Sequence, residues 1–269
     1  MTIAVGVLAS DGIVLAADTQ VTIGENKVNQ GKVRCLFCSD PVIVEGKWQV
    51  KDAGSMVLAG SGIPDTHVHN AAESIVEAFS SNKSAVGNEL RTACQQTLSD
   101  FHAAHIEPYL GLPAIDRPSV EFLMAYSRGG KAELWRSNYA VVDQSHFYDA
   151  IGIGRSQAIG LFETLYRLSP LDLIGSAMLA SLVVYRVKQT SIYCGNSTQI
   201  FLIRGNGFQE IHHSRVKKLE DEWDEYGRVV EAAGLRRLLG SPLDVDAPSD
   251  ELHRRFQQMA DELRDEIYC

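Results

Sequence analysis

Cysteine is scarce: five residues in 269, at Cys35, Cys38, Cys94, Cys194 and Cys269. An odd, sparse set of this kind fits reduced thiols better than a disulfide framework. Positive charge is also short, with 25 Lys and Arg against 34 Asp and Glu and a formal charge of -9. A nucleic-acid binder would need a strong local basic patch against that global sign, and none is present. Long apolar runs are missing too. The longest, Ile174 to Val187, is broken by Gly175, Ser176, Ser181, Tyr185 and Arg186, short of the roughly 20 apolar residues a membrane span requires. Met1-Thr2-Ile3-Ala4-Val5 has no basic leader and no small-residue cleavage site, so a cytoplasmic location is expected. No internal repeat or low-complexity segment occurs.

Cofactor and metal signatures are equally thin. Gly152-Ile153-Gly154 is no dinucleotide fingerprint, because the third glycine of that pattern would fall at Gln157. Cys35-Leu36-Phe37-Cys38 has a metal-like spacing, but a structural zinc wants four ligands and there is no second cysteine pair. His67-Val68-His69 and His212-His213 read as solvated histidines at element ends. Neither a cofactor nor a metal is expected.

What is present is a 45% apolar chain with well-punctuated elements. Thr2 to Ala9 and Gly12 to Asp18 are β-rich runs joined through Ser10-Asp11-Gly12, which predicts a hairpin at the N-terminus. Both runs are apolar at nearly every position, so the sheet they enter is covered on both faces. Helices are expected at Asp65 to Ser80 and Gly87 to His105, and again at Ser156 to Leu168 and Leu171 to Lys188, the last started by Ser169-Pro170. Between the pairs lies a hairpin, Val120 to Tyr126 and Lys131 to Arg136, turned by Arg128-Gly129-Gly130. After them Ser191 to Arg204 turns through Gly205-Asn206-Gly207 into Phe208 to His212. Strands, a helix pair, strands, a helix pair and strands again fit an α+β fold, a four-layer αββα sandwich, better than strict β-α alternation.

The composition shifts near Ser214. Ser214 to Cys269 holds 9 Lys and Arg against 14 Asp and Glu, more than half of the net charge in the last fifth of the chain. Residues 1–213 are therefore read as the main domain and 214–269 as an acidic helical extension. It carries helices at Glu220 to Leu239 and from Pro248-Ser249-Asp250-Glu251 onward. Leu252, Phe256, Met259, Leu263 and Ile267 form a stripe on the second helix, expected to dock on the protein's own core.

Position 2 carries the candidate chemistry. Thr2 is small enough for an aminopeptidase to remove Met1, which would leave a free threonine amine at the head of a strand. A threonine hydroxyl is barely ionised at neutral pH, but an α-amine with an unperturbed pKa of about 7.7 to 8 is a natural base for its proton. A Met-Thr start alone carries no functional information.

The company Thr2 keeps does. Thr2-Ile3-Ala4-Val5-Gly6-Val7, followed by Asp11-Gly12-Ile13-Val14-Leu15-Ala16-Ala17-Asp18-Thr19-Gln20-Val21-Thr22, resembles the opening of proteasome β-subunits and HslV-type bacterial peptidases, N-terminal nucleophile hydrolases. Met56 to Gly62 resembles that family's strand-to-helix segment with Ala-Gly, Ala150 to Gly154 its Gly-Ser-Gly segment, and Tyr193-Cys194-Gly195 its Tyr-Ser-Gly segment. The resemblance covers about residues 2 to 213 in family order.

It implies roles for particular residues. Thr2 Oγ attacks a peptide carbonyl with its own amine as base, directly or through water. A lysine ammonium lowers the amine's pKa, and Asp18 holds that lysine. The Gly60 N–H donates to the oxyanion. Thr22 and Gly62 line the cleft and bind substrate backbone as an added strand. The lysine is Lys32 or Lys47. Lys32, opening the β-rich Lys32-Val33-Arg34 run, is preferred because a hairpin tip accepts an insertion more readily than the cleft-facing path. Lys47, 13 residues before Gly60, is the rival. Two departures stand against full catalysis: Ile153 where many members carry Ser, and Ser191 near where proteasome subunits carry Asp. The expected protein is a threonine-type peptidase acting on a peptide or unfolded polypeptide inside a homo-oligomeric ring, without nucleic acid or membrane. No ATPase partner is specified by these residues. An amidase or transpeptidase on the same fold, and a non-catalytic ring subunit, are the alternatives.

Overall fold

The computed structural model describes residues 2–23, 26–44, 47–113, 117–166, 171–238 and 246–268; side chains are described outside 21–29, 38–53, 229–250, 252 and 268. Two five-stranded antiparallel sheets form the centre. The first contains β1 (Ile3–Ala9), β2 (Gly12–Asp18), β10 (Tyr148–Gly152), β11 (Thr198–Arg204) and β12 (Gly207–Glu210), in the order β10-β1-β2-β11-β12. The second contains β5 (Val33–Val44), β6 (Lys47–Ile63), β7 (Ser119–Arg128), β8 (Lys131–Asn138) and β9 (Val141–Ser145), in sequence order. A two-stranded hairpin, β3 (Gln20–Ile23) with β4 (Asn26–Asn29), leads from the first sheet towards the second.

Strand periodicity explains why the sequence is apolar without alternation. Successive side chains point to opposite faces, and both faces are dry. On β2, Ile13, Leu15 and Ala17 enter a core shared with Val57 and Ala59 of β6 and with Leu123, Ala125 and Leu134. Val14 and Ala16, one residue out of phase, enter a second core with the helices α3 (Arg155–Leu165) and α4 (Leu173–Thr190). On β6 the same switch sends Met56 and Leu58 into a third core with α1 (Asp65–Ser81) and α2 (Asn88–His105). The third core is anchored by Trp135 stacked on Tyr126 at 4.9 Å, and by the Arg128 guanidinium 4.0 Å over the Phe79 ring.

The helix pairs and N-terminal hairpin lie where the sequence predicts them, within a few residues. α4 differs at its start: Asp172, not Ser169, caps it, accepting the Gly175 N–H at 2.8 Å, while Ser169-Pro170 lies outside the described residues. Its two central turns are buried nearly all round, so it is a core helix rather than a half-wetted one. The expected strand from Ser191 is shorter, because Ser191 ends α4 and β11 begins at Thr198.

The C-terminal helices α5 (His213–Leu238) and α6 (Asp246–Tyr268) close over α4. Val216, Leu219, Met259 and Leu263 are buried in the same core as Val183 and Leu202. The Trp223 indole donates to Ser181 Oγ at 2.8 Å, and Lys188 pairs with Glu220 at 2.6 Å. Of the predicted stripe, Phe256 stacks on Trp223, Ile267 packs at the core's edge, and the Leu252 side chain and Leu239 lie outside the described residues.

Candidate active site

The site grows from the last residue of β2. Asp18 is fully buried, and its carboxylate is saturated from three directions. Oδ1 accepts from the Ile3 N–H at 3.0 Å and from Lys32 Nζ at 2.8 Å; Oδ2 accepts from the Gly195 N–H at 3.0 Å. A buried carboxylate is costly unless its lone pairs are met, and here one cation and two backbone donors meet them. The hairpin makes this possible. The register pairs Ala4 with Ala17, so Asp18 falls beside Ile3, one residue after Thr2. β11, pairing Thr198 with Asp18, brings the Tyr193-Cys194-Gly195 turn to the other carboxylate oxygen.

Lys32 enters from the segment just before β5, with 7% of its side chain exposed. Burial pulls its ammonium pKa below the ordinary lysine value, and the Asp18 charge partly offsets that. Lys47 starts β6 at the far end of the same strand that carries Gly60, on the order of 40 Å away at ~3.3 Å per residue. Lys32 and Lys47 thus occupy opposite ends of the β5–β6 hairpin, and Lys32 is the one on Asp18.

Thr2 itself is buried, and its main chain is clamped on a second side by Gly152 at the end of β10. Gly152 has φ +86°, and a Cβ there would stand 2.2 Å from the Thr2 carbonyl oxygen, so only glycine fits. Its N–H donates to Glu121 Oε2 at 3.1 Å. Glu121 faces Ser61 across β6 and β7, which ties the second sheet to the back of Thr2. Nothing local in the sequence marks Glu121; its role depends on two strand ends from different sheets meeting.

Gly60 lies beside Lys32. Its N–H points at the Lys32 carbonyl at 3.4 Å, the long limit of a hydrogen bond. The absence of a side chain has a packing cause as well, since a Cβ would stand 2.5 Å from Val68 of α1. Gly62 is two residues on, paired with Val120. Thr22 lies on β3 opposite Lys27, and its side chain is outside the described residues.

Cys194 is buried against the Asp18–Lys32 pair; burial first, and the Asp18 charge second, push its thiol up. Ser191 sits at the end of α4, where its hydroxyl accepts the Tyr193 N–H at 3.3 Å. Ile153 is half exposed at the rim. Two cavities are bordered by residues of the candidate site, though not by Thr2 itself. A narrow one of about 50 Å³ is bordered by Lys32, Gly60, Asp65 and His69; a broad one of about 800 Å³ begins at Gly62, Gly152 and Ile153. The histidines have ordinary contacts: His67 stacks edge-on with Phe101, His69 meets Arg34, and the His212 and His213 rings lie 4.3 Å apart. Among the described residues no cluster of three or more metal-ligating side chains forms. No helix among them is long and apolar enough to cross a membrane.

Fold and site together define an α+β protein with two antiparallel sheets and a buried Asp18–Lys32 pair that holds the main chain of Ile3, the residue after Thr2, at the head of the first strand. No protein-family model matches the sequence, and no curated protein matches it. Solved structures do match in fold. One is Anbu (ancestral beta-subunit) from Yersinia bercovieri, at 12% identity and TM-score 0.64, covering 86% of this chain and 97% of that one. The Anbu (Gly-1) mutant from Hyphomicrobium sp. strain MC1 matches at 14% and 0.61, covering 91% and 100%. The helical assembly of the Anbu complex from Pseudomonas aeruginosa matches at 13% and 0.59, again covering 91% and 100%. The likeness to proteasome β-subunits and HslV-type peptidases is corrected accordingly. These three structures are described as Anbu, and identities of 12–14% establish a related fold rather than membership of that family.

Proposed function

We propose that this chain is a threonine-type hydrolase of peptide bonds, acting through Thr2 once Met1 has been removed, on a peptide or unfolded polypeptide. The observation that carries the reading is the Asp18 carboxylate, which at once holds the Ile3 N–H, Lys32 Nζ and the Gly195 N–H. A buried ion pair one residue behind a threonine does little for stability that apolar side chains would not do, so its position calls for a chemical use.

In the proposed reaction the Thr2 amine takes the Oγ proton, directly or through water, and Oγ forms a bond to the substrate carbonyl carbon. The Lys32 ammonium keeps the amine's pKa down by like-charge repulsion and favours the attacking oxyanion, while Asp18 fixes the ammonium's position. The Gly60 N–H, only loosely held by the Lys32 carbonyl, donates to the tetrahedral oxyanion. The intermediate collapses with the proton passing to the leaving amine, and water then resolves the ester. Gly62 and Thr22 present backbone to an added substrate strand. Ile153 cannot relay a proton, so the amine works with fewer helpers.

That same Ile153 favours a second reading, a non-catalytic subunit of an assembly. Transfer to an amine instead of water, an amidase or transpeptidase outcome, is the other alternative. A helical assembly is named for one of the similar structures, and we take homo-oligomerisation as part of the proposal, together with a cytoplasmic location and a four-layer stacking of the two sheets between their helices. Thr2→Ala is the test: hydrolysis of an unfolded polypeptide disappears while thermal unfolding stays unchanged. Retained hydrolysis removes Thr2 from the mechanism.

A further inference from the structure

The two cavities bordered by residues of the candidate site, one by Lys32 and Gly60 and the other by Gly62 and Gly152, differ in size and chemistry. The narrow one, next to Lys32 and Gly60, is lined largely by polar and charged groups, with Asp65, His69 and Arg34 at its rim. The broad one, of about 800 Å³, starts at Gly62 and Gly152 and runs out along the end of α2. Ile63, Ile106, Leu110, Tyr139 and Ile153 line it, four of them at least 44% exposed, alongside the polar His102, Arg117 and Glu121. Isolated exposed apolar residues are ordinary on a protein surface; a cluster of them lining one concavity of ligand-site volume is not.

Three features connect this groove to the reacting threonine. Gly152 touches both, since its missing side chain is what lets β10 lie against the Thr2 carbonyl oxygen. Glu121 holds the Gly152 N–H and lines the groove itself. Along β6, Gly60 borders the narrow cavity and Ser61, Gly62 and Ile63 border the broad one. An extended polypeptide laid against the end of β6 sends successive side chains to opposite sides. Because the cavities follow one another along β6, such a chain would meet the small polar cavity beside Gly60 and the apolar groove beyond it, beside Gly62 and Ile63.

We propose that this groove is a side-chain subsite for large apolar residues of an extended polypeptide, and that Ile153, out of place as a proton relay, belongs to its wall. The inference rests on the reading of Thr2 as the nucleophile, because that is what brings an extended chain to this edge. It also selects the substrate class: segments rich in leucine, isoleucine and phenylalanine, which folded proteins hide and unfolded ones expose.

The test uses the full-length Thr2→Ala chain, which retains the groove without consuming a ligand. Two labelled eight-residue extended peptides are compared by fluorescence anisotropy, one rich in Leu and Phe and one rich in Ser and Gln. The expected result is about tenfold tighter binding of the apolar peptide, reduced about tenfold by Leu110→Asp and by Ile153→Asp. Both side chains are half exposed, so neither substitution empties the core, and Phe208→Ser, at an exposed apolar site on β12, leaves the affinity unchanged. Equal affinity for the two peptides, no binding of either, or insensitivity to both aspartates overturns the proposal. If Leu110→Asp dissociates an assembly in native mass spectrometry while peptide affinity is unchanged, the groove is a contact between copies and the proposal is likewise overturned. Hydrolysis by the unsubstituted protein is scored separately. Apolar-selective binding without Thr2-dependent hydrolysis sinks the catalytic reading alone, and hydrolysis without apolar selectivity sinks the subsite alone.

Discussion

Asp18 Oδ1 stands 2.8 Å from Lys32 Nζ and 3.0 Å from the amide nitrogen of Ile3, so one carboxylate oxygen joins the lysine to the residue that follows Thr2. The lysine's position relative to the threonine is thereby set by a single buried atom. The consequences for stability and catalysis can be separated.

Asp18→Asn keeps an acceptor for one backbone donor but leaves the Lys32 ammonium in a dry site without its counter-charge. Removing one partner of a buried pair costs about 3–5 kcal/mol. Thermal unfolding should show a large loss, with activity abolished at temperatures where the variant is still folded. Asp221→Asn breaks the exposed pair with Lys217 and should leave the unfolding curve unchanged.

Lys32→Ala should abolish Thr2-dependent hydrolysis, measured as release of a fluorophore from a peptide amide. Lys47→Ala should leave the rate within twofold, because Lys47 lies on the order of 40 Å up β6 from Gly60. Equal mild effects would detach both lysines from catalysis.

The pH dependence follows from Lys32. Burial lowers its folded-state pKa below 10.5, so on raising the pH the folded protein loses this proton before the unfolded chain does. Catalysis needs the cation, and the alkaline limb of kcat/KM should therefore fall below pH 10.5. Stability runs the other way. Between the folded value and 10.5 the unfolded chain binds more protons, so this group's contribution to stability rises with pH. Comparing unfolding of the unsubstituted protein and Lys32→Met across that window checks the sign.

Gly152→Ala should be severe for so small a change. The residue has φ +86°, and the new methyl would meet the Thr2 carbonyl oxygen at 2.2 Å. We expect a stability loss of about 2 kcal/mol or more, from backbone strain and overpacking together. Gly205→Ala, also at positive φ but with open space around it, carries the strain without the collision and should lose less.

Much of this architecture is legible in the sequence where physics is local. β1 and β2 are apolar on both faces around an Asp-Gly turn, and the helix pairs carry their own periodicity and punctuation. β3, β4, β9 and β10 are less visible, being short and half polar. Lys47-Trp48-Gln49-Val50-Lys51 alternates polar and apolar as a strand does, but only pairing with β5 shows it to be the start of a 17-residue β6 that runs on through Gly60. In the site, Asp18 and Lys32 are pointed to only by the resemblance to N-terminal nucleophile hydrolases, which leaves Lys47 as a rival for the lysine. The Gly195 N–H is foreshadowed only as part of a short motif. Glu121 has no sequence signal at all, because its contact with Gly152 depends on two sheets meeting at strand ends. Ile153 is visible as a departure, but its place at the rim of an apolar groove emerges only when α2, β6 and β10 are assembled.

Whether Thr2 is the nucleophile is decided by the intact mass of the purified protein before and after incubation with a peptide epoxyketone, an electrophile that needs both the hydroxyl and the free amine of a terminal threonine. Thr2 as nucleophile predicts a chain lacking Met1 that gains the mass of one inhibitor, with no gain in Thr2→Ala. A chain that retains Met1, or one trimmed to Thr2 that takes up no inhibitor, would contradict it.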